Sequence, residues 1–331
     1  MKRSWAVGLD MGGTNIRCAA VSADGEVLLM ERGPSHASRH GPDVSKNIAT
    51  QLLHLLDTAR ERGLGSPRAI GVAVPGPLDV HTGIVKAAPH VAAWRGYPLR
   101  RELEKLIGRS IILENDANAW ALGEYWRGAA RGRRDVVLLT LGTGVGGGII
   151  VGGKLVHGRS GMAGELGHVT VEPDGPRCDC GARGCLEAYA SASGLRGLVE
   201  RWMELPAGAQ LPMAIVDAEN NFSVRGLSAQ ARRGDRMALE TFAVAGHYLG
   251  IAIASFLNTF NPELVVIGGG VAGALPYMRK TMAAQVRERA FSAISAQAKI
   301  CRASLGAEGG VVGAAYAALH PVSDRGVQKL P

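Results

Sequence analysis

The chain has 331 residues, of which 47% are hydrophobic and 20% charged, a balance typical of a folded globular protein. Its net charge is +8, but no nucleic-acid-binding motif accompanies that charge, so we expect an arginine-rich surface and no nucleic-acid partner. The opening residues lack the apolar run of a signal peptide, and no uninterrupted run of about 18 apolar residues predicts a membrane span. We therefore expect a cytoplasmic protein, in which clustered cysteines indicate a metal site rather than disulfides.

The first elements alternate between strands, glycine-rich turns and helices. A strand (SWAVGLD) leads into the turn MGGTN, and two further strands are joined at the hairpin signal Asp24-Gly25. A helix follows, with an apolar face running from Val44 to Ala59, a cap expected at Asp43 and an end at Gly63. Next come the strand RAIGVAV, stopped by PGP, the strand SIILEN, and a helix beginning near Asp116.

The same order then restarts. DVVLLTLG is a predicted strand, TGVGG a turn, GIIV a strand and KLVH a further short strand. Helices are expected through much of residues 228–261, followed by the buried strand ELVVIGGG and another helix. The repeated layout predicts an α/β protein with two related halves facing each other across a cleft.

Both glycine turns follow apolar strands and carry a threonine. Glycine lets backbone N–H groups approach an anion closely, so two such turns favour a nucleotide phosphate site over simple hairpin turns. Asp10 is placed to hold a hydrated Mg²⁺ beside the phosphates. Gly268–Gly270 would let adenosine approach the backbone. The residues of the turns that this prediction uses are Gly12, Gly13, Thr14, Thr143, Gly144, Gly146 and Gly147.

Three of the five cysteines lie within eight residues, as Cys178, Cys180 and Cys185. Cysteines one residue apart are poorly placed to form a disulfide, whereas a tetrahedral Zn²⁺ accepts three thiolates and an imidazole. His168 is the nearest upstream histidine, so the spacing favours a Cys₃His zinc site over three unrelated buried thiols.

Two glutamates flank the predicted zinc ligands. Glu165 precedes His168 by three residues, and Glu187 follows Cys185 by two. Without the neighbouring zinc ligands, each glutamate would be interpreted as a surface charge or a helix-end residue. Beside a metal that fixes the backbone, they are interpreted as acceptors for the hydroxyls of a polyol such as a sugar.

Asn115 and Asp116 follow a strand and open a helix, where ligands of α/β sheets bind. One interpretation is a simple helix cap. The other is a general base, because the helix N-terminus would keep the aspartate ionised and able to accept a hydroxyl proton during attack on a γ-phosphoryl group.

With these motifs in place, the sequence resembles the ROK family (repressors, open reading frames and sugar kinases). The segments that carry the resemblance, in chain order, are GLDMGGTNIRCAAV, VAVPGPLD, ENDANAWALGE, LGTGVGGGIIVGGKLVHG, GMAGELGHVTV, CDCGARGCLEAYAS and VVIGGGV. The likeness within the family is strongest to bacterial glucokinases.

The resemblance implies two actin-like (RNase H-like) α/β domains around a nucleotide and sugar cleft, with a zinc-binding loop. The expected domains are residues 1–117 with about 308–331, and residues 118–307. The implied reaction is ATP-dependent phosphorylation of a hexose at its 6-hydroxyl, with glucose expected as the sugar and Mg²⁺ accompanying ATP. A homodimer or homotetramer is also implied.

The resemblance assigns roles residue by residue. Asp116 is expected to be the general base. The expected sugar contacts are Gly76, Asn115, Asp116, Glu165, His168 and Glu187, with His168 serving zinc as well. The expected nucleotide contacts are Asp10, Gly12, Gly13, Thr14, Asn15, Gly142, Thr143, Gly144, Val145, Gly146, Gly147, Gly269 and Gly270.

One sugar contact departs from the family pattern. Relatives often have Asn in the segment before the base, where this chain reads APHVAAW with His90. The departure leaves the hexose open among glucose, N-acetylglucosamine, N-acetylmannosamine, mannose and fructose. A sugar-sensing regulator is a further alternative, disfavoured because the first predicted strand leaves no room for an N-terminal helix-turn-helix.

Overall fold

A computed structural model of the chain describes residues 4–37, 41–88, 91 and 94–321. The described residues form twelve strands and ten helices. The first part of the chain contains β1 (Trp5–Met11), β2 (Asn15–Ser22), β3 (Val27–Pro34), α1 (Gly41–Glu61), β4 (Ile70–Val74), β5 (Leu78–Asp79), β6 (Ile84–Val85), α2 (Leu99–Ile107), β7 (Ile112–Asn115) and α3 (Asp116–Trp126). The remainder contains β8 (Val136–Leu141), β9 (Val145–Val151), β10 (Lys154–Leu155), α4 (Glu187–Ala190), α5 (Ala192–Trp202), α6 (Val224–Arg232), α7 (Arg236–Phe260), β11 (Leu264–Gly268), α8 (Leu275–Arg289), α9 (Ser292–Ser295), β12 (Lys299–Arg302) and α10 (Gly309–Leu319).

The contacts divide the chain into two compact units. The first unit comprises the described residues of Met1–Gly132, Leu155–Ala163 and Ser304–Pro331, and the second comprises Arg133–Lys154 and Gly164–Ala303. Helix α3 and the segment 155–163 are grouped with the first unit. The functional domain boundaries near residues 117 and 307 stay a prediction.

Each unit contains a five-stranded mixed sheet with the same layout. The first sheet has the order β3-β2-β1-β4-β7, and the second has the order β10-β9-β8-β11-β12. In the first sheet, β1 pairs antiparallel with β2 and parallel with β4. In the second, β8 pairs antiparallel with β9 and parallel with β11. The repeat that the sequence predicted is thus present in the strand order.

Side-chain size alternates along β1 and decides which helices cover each face of the first sheet. Trp5, Val7, Leu9 and Met11 share one core cluster with α1 and α2, as the period of two requires. Ala6 belongs to a separate cluster with α10. A β-carbon added to Gly8 would overlap the α10 backbone at Val311. Small residues on this second face therefore let α10 lie directly on the sheet.

Helix α10 packs against α3 through glycines and a buried carboxylate. A β-carbon on Gly123 or on Gly313 would overlap the backbone of the facing helix. Glu124, with 0% exposure, accepts hydrogen bonds from the N–H groups of Ser304 and Leu305, which lead into α10. Because the buried charge is satisfied by backbone donors, α3 and α10 are fixed together at this end.

Helix α7 is the core helix of the second unit. By length and composition alone it is the one helix among the described residues that could cross a membrane, and 56% of its most apolar window is buried. Gly246 and Gly250 lie one turn apart, and a β-carbon on either would meet the backbone of α8. The apolar composition of α7 is thus used for close packing against neighbouring helices.

Three details differ from the sequence predictions. Asp43 lies within the first turn of α1 rather than capping it, although Gly63 ends the helix as predicted, with a φ of 77°. Strand β9 begins at Val145, so Gly146 and Gly147 lie inside the strand instead of in the turn. In the segment predicted as the strand KLVH, pairing stops after Leu155 because the chain leaves the second sheet there and joins the first unit.

Candidate active site

Gly76 and Asn115 come together at the carboxyl ends of two adjacent strands. Strands β4 and β7 run parallel and pair Val74 with Asn115. Beyond them, Asn115 Nδ2 donates a hydrogen bond to the carbonyl oxygen of Gly76 over 3.3 Å. Gly76 has a φ of 88°, which glycine adopts without strain. Two residues predicted to contact a sugar are therefore neighbours in the first unit.

The start of α3 separates the roles of Asn115 and Asp116. Asn115 is the N-cap, because its Oδ1 accepts hydrogen bonds from the N–H groups of Ala117 (2.9 Å) and Asn118 (3.1 Å). Asp116 is the first residue of the helix; it is half-buried, and its Oδ1 also accepts from Ala117 N–H, over 2.9 Å. The capping interpretation thus holds for Asn115, whereas the role of Asp116 as a base stays a prediction.

Asp10 lies buried at the end of β1, with 4% exposure. Burial raises the pKa of Asp10 to about 6, although the Arg17 charge and hydrogen bonds from Trp120 and Arg17 act in the opposite direction. Arg17 Nη1 lies 3.5 Å from Asp10 Oδ2. A β-carbon on Gly310, in the first turn of α10, would overlap the Asp10 carboxyl group. Asp10 therefore occupies a close-packed place next to the helix N-terminus.

The first glycine turn joins β1 to β2. Gly12 N–H donates to the carbonyl oxygen of Asn15 over 2.9 Å. Ser35 holds the turn from outside: its Oγ donates to Gly13 O over 2.7 Å, and its N–H donates to Thr14 O over 2.9 Å. Asn15 is the first residue of β2 rather than part of the turn.

The second glycine turn joins β8 to β9 and runs from Gly142 to Gly144, the same length as the first turn. Gly142 N–H donates to Gly144 O over 2.9 Å, and Ser193 Oγ donates to Thr143 O over 2.9 Å. Val145 N–H donates to Glu187 Oε2 over 2.9 Å. A residue predicted to bind sugar is thus bonded directly to a turn predicted to bind phosphate.

Gly269 lies beside this second turn, as the prediction of an adenosine site requires. It has a φ of 85°, and a β-carbon there would overlap the backbone of Leu141, which precedes the turn. Gly270 begins a 3₁₀ helix, Gly270–Ala274. The predicted nucleotide contacts of the second unit therefore cluster at one end of β8 and β11.

The four predicted zinc ligands form one cluster in the second unit. The ligand atoms of His168, Cys178, Cys180 and Cys185 all lie within 4.8 Å of one another. Cys178 Sγ lies 3.6 Å from His168 Nδ1, and Cys180 Sγ lies 3.7 Å from Cys185 Sγ. All five cysteines of the chain, each in the described part, are unbridged thiols.

These residues fit a zinc ion. Bonds of about 2.3 Å to sulfur and about 2.0 Å to nitrogen place tetrahedral ligand atoms about 3.5–3.8 Å apart, and both observed separations lie in that range. Burial raises the pKa of Cys178 and of Cys185. Burial also acts to raise the pKa of Cys180, but hydrogen bonds from Ala182 N–H and the neighbouring thiols outweigh it and lower that pKa. The donor set is thus compatible with a zinc ion.

Glu165 and Glu187 both contact this cluster. With Nδ1 of His168 directed at the cysteines, its Nε2 lies 3.9 Å from Glu165 Oε2. Cys178 Sγ lies 3.5 Å from Glu187 Oε1. Burial raises the pKa of Glu165, the His168 charge lowers it, and Glu187 raises it further. The expectation that the glutamates lie beside the metal ligands is therefore confirmed by the geometry, while their sugar contacts stay a prediction.

The hydrogen-bonded pair Glu114–His157 is absent from the sequence predictions. His157 Nε2 lies 2.7 Å from Glu114 Oε2 in the first unit. Glu114 stands directly before Asn115 and could have been singled out as a buried charge at a strand end. His157 gave no signal, because only the return of segment 155–163 to the first unit brings it there. His90, by contrast, lies outside the described residues.

Comparison with known proteins shows that the chain is similar both to sugar kinases and to transcriptional regulators. Residues 6–320 match the ROK family. A glucokinase from Thermotoga maritima is 37% identical over 309 residues, which cover 93% of this chain and 95% of the relative. The structure of a ROK family glucokinase from Streptomyces griseus in complex with glucose and AMPPNP is 33% identical, with a TM-score of 0.79, and the match covers 96% of this chain and 100% of that one.

A regulator is similar to the same degree. The structure of a ROK family transcriptional regulator, a homolog of the E. coli MLC protein, is 30% identical with a TM-score of 0.81. The match covers 94% of this chain and 76% of the regulator. Fold similarity alone therefore does not separate the two activities.

Proposed function

The chain belongs to the ROK family, and from that premise we propose that it is an ATP-dependent glucokinase, converting glucose to glucose 6-phosphate. The observation that carries this proposal is the start of α3. There Asn115 takes the capping role and bonds to Gly76, and the next residue, Asp116, opens the helix as a half-buried carboxylate.

The proposed chemistry is a direct phosphoryl transfer. The 6-hydroxyl oxygen of glucose attacks the γ-phosphorus of ATP, the bond from that phosphorus to the bridging oxygen breaks, and ADP leaves. Asp116 accepts the hydroxyl proton and then releases it to solvent. A weak base is sufficient because the transition state is loose and positioning dominates catalysis.

The two glycine turns are proposed to bind the nucleotide phosphates. Backbone N–H groups and the hydroxyls of Thr14 and Thr143 are the donors that such anions require. A Mg²⁺ ion bound with the nucleotide would supply charge neutralisation at the phosphates. With a pKa of about 6, Asp10 is ionised at neutral pH and suited to a hydrated cation.

The zinc ligands are proposed to act in binding rather than in chemistry. Zinc held by His168, Cys178, Cys180 and Cys185 would cross-link two segments that have little regular secondary structure. Glu165 and Glu187 would then be fixed to accept hydrogen bonds from sugar hydroxyls, and the Nε2–H group of His168, on the other edge of the ring, would donate one. In this proposal the zinc ion would form no bond to the reacting atoms.

Several finer points stay predictions. They are the actin-like arrangement of two domains around a nucleotide and sugar cleft, the dimeric or tetrameric state and the cytoplasmic location. N-Acetylglucosamine, N-acetylmannosamine, mannose and fructose are the alternative substrates. The alternative function outside catalysis is that of a sugar-sensing regulator, because the structure of a transcriptional regulator matches this fold with a TM-score of 0.81.

A coupled assay of ADP release over a panel of these sugars tests the proposal. The purified chain, supplied with ATP, Mg²⁺ and Zn²⁺, is expected to turn over glucose fastest, with glucose 6-phosphate identified by NMR. If another sugar is turned over with a higher kcat/KM than glucose, that sugar replaces glucose as the proposed substrate. If none of these sugars yields a phosphosugar, the proposed kinase activity is overturned. A gel-shift assay with operator DNA tests the regulator.

A further inference from the structure

Residues 155–163 connect two stretches of the second unit but belong to the first. The chain leaves the second unit after Lys154 and returns to it at Gly164. The next residue is Glu165, which is proposed to bind the sugar. Two contacts hold the segment within the first unit: Gly161, with a φ of 80°, packs against residues 78–80, and His157 meets Glu114.

His157 and Glu114 form a largely buried hydrogen-bonded pair. Their atoms Nε2 and Oε2 are 2.7 Å apart, and the two side chains are only 10% and 5% exposed. Burial acts to lower the pKa of His157, but the hydrogen bond and the charge of Glu114 outweigh it and raise that pKa. Glu114 is the charged group that acts on this imidazole.

The second oxygen of Glu114 is bonded to the start of α3. Glu114 Oε1 accepts hydrogen bonds from the Asn115 N–H over 2.9 Å and from Asn118 Nδ2 over 3.1 Å. Asn118 is 1% exposed, so this contact is also enclosed. The donors stand on either side of Asp116 in the sequence. One carboxylate therefore joins His157 to the turn of backbone that carries the proposed base.

Stability alone is a poor reason for such a pair. Removing two charges from water costs about as much as their attraction returns, and well-packed apolar residues often serve equally well. What a hydrogen-bonded pair adds is a fixed geometry. The same unit contains a contrasting pair, His54–Glu31, with the same 2.7 Å separation but a histidine side chain that is 72% exposed. Within the part of the chain that the structure describes, neither side chain of that surface pair is hydrogen-bonded to a proposed site residue.

We propose that His157 and Glu114 are a positioning pair for phosphoryl transfer, fixing Asn115 and Asp116 at the start of α3 to segment 155–163. This inference rests on the proposed glucokinase function. His157 acts through Glu114, and neither side chain is proposed to touch the substrate.

Steady-state kinetics of the zinc-containing full chain test the inference, with the variants His157→Gln, Glu114→Gln and the double variant. Small displacements of a reacting group cost up to about 100-fold in rate, so we expect kcat/KM for glucose to fall about 10- to 100-fold in His157→Gln. The KM for ATP should change by less than about twofold, because the phosphate turns are held by other contacts. His54→Gln is the matched control and should keep all wild-type values.

The double variant separates positioning through Glu114 from a general loss of folding. If His157 acts through Glu114, the double variant should lose no more than the worse single variant. Glu114→Gln keeps the size of the side chain and an acceptor for Asn115 N–H, so it serves as a second probe if His157→Gln folds poorly. Thermal melting of each variant gives the folded fraction used to correct kcat.

Three results would overturn the inference while leaving the glucokinase proposal intact. They are a wild-type kcat/KM for glucose in His157→Gln, a loss explained by the folded fraction with both KM values unchanged, and strictly additive losses in the double variant. A wild-type chain that forms no phosphosugar would instead overturn the proposed function, and this inference with it.

Discussion

The two units share a strand order but hold their candidate catalytic groups by different means. In the first, the start of α3 is fixed by hydrogen bonds and the buried pair Glu114–His157. In the second, Glu165 and Glu187 lie beside the four clustered residues that are predicted to bind zinc. A proposed base must stay able to take a proton, which a bound cation beside it would oppose. Carboxylates that bind a sugar need a fixed spacing more than they need basicity, so a nearby metal that fixes the backbone is compatible with their role.

The glycine turns show a related difference. The first turn is held by Ser35 and has room around Gly12, whereas the second is bonded to Glu187. The second turn is thus connected through Glu187 to the predicted zinc ligands, whereas no such bond is found for the first turn among the described residues. Changes in the second unit should therefore affect binding of sugar and nucleotide together, while changes at the start of α3 should affect turnover.

The largest effect is expected from Asp116→Asn. Asparagine keeps the size of the side chain but cannot accept the hydroxyl proton, so kcat should fall about 10³-fold. Asp235→Asn is the matched control, because Asp235 caps α7 outside the site and asparagine caps a helix equally well. A kcat for Asp116→Asn within about threefold of wild type would show that Asp116 is not the general base.

The next largest effect is expected from Cys180→Ser. Losing one of four ligands should release zinc, measured by mass spectrometry of the native protein, and should raise the KM for glucose about tenfold or more. Cys301→Ser, in β12, should keep one zinc per chain and a normal KM. Tight glucose binding by a zinc-free Cys180→Ser protein would contradict the role given to the metal.

A smaller effect concerns the pH dependence of stability at Asp10. Its folded pKa of about 6 exceeds the ordinary 3.8, so the folded state holds this proton more tightly than the unfolded state does. The contribution of Asp10 to stability is therefore present below about pH 4 and is lost as the pH rises towards 6. Relative to wild type, Asp10→Asn should gain about 2–3 kcal/mol between pH 4 and pH 7 in urea unfolding.

Asp43→Asn, at an exposed aspartate in the first turn of α1, is the control for that comparison. Its stability relative to wild type should vary little over the same pH range. If the stability of Asp10→Asn relative to wild type varies with pH in the same way as that of Asp43→Asn, ionisation of the buried Asp10 does not destabilise the folded state.

The smallest effects distinguish Gly12, in the first turn, from Gly147, in β9. A β-carbon on Gly147 would lie 2.6 Å from both Gly164 O and Leu166 Cγ, so Gly147→Ala should destabilise the protein by about 1–3 kcal/mol. The nearest atom to such a carbon on Gly12 is Asn15 O at 3.4 Å, so Gly12→Ala should change stability by less than about 0.5 kcal/mol. Thermal melting measures both; equal losses would contradict the difference in packing.

Local patterns in the sequence predicted much of this arrangement. Strand, turn and strand repeats gave the two sheets, and the spacing of Cys178, Cys180 and Cys185 with His168 gave the metal cluster. The neighbouring positions of Gly76 and Asn115 follow from parallel strands ending at one edge. Each of these depends on residues close in sequence or on a standard pairing.

What the sequence could not predict depends on distant packing. The pair Glu114–His157 requires segment 155–163 to return to the first unit, and nothing in its composition indicates that path. The bond from Val145 N–H to Glu187 joins residues 42 apart. Gly147 pairs with Leu139 inside β9 and packs against Gly164 and Leu166, contacts that no turn propensity describes.

Calorimetric glucose binding without nucleotide tests the division between the units most directly, with Asp116→Asn and Glu165→Gln measured side by side. The division predicts that Asp116→Asn binds glucose within about fivefold of the wild-type Kd and that Glu165→Gln, which loses a charged acceptor, binds about tenfold more weakly or worse. Normal glucose affinity in Glu165→Gln together with lost affinity in Asp116→Asn would contradict it.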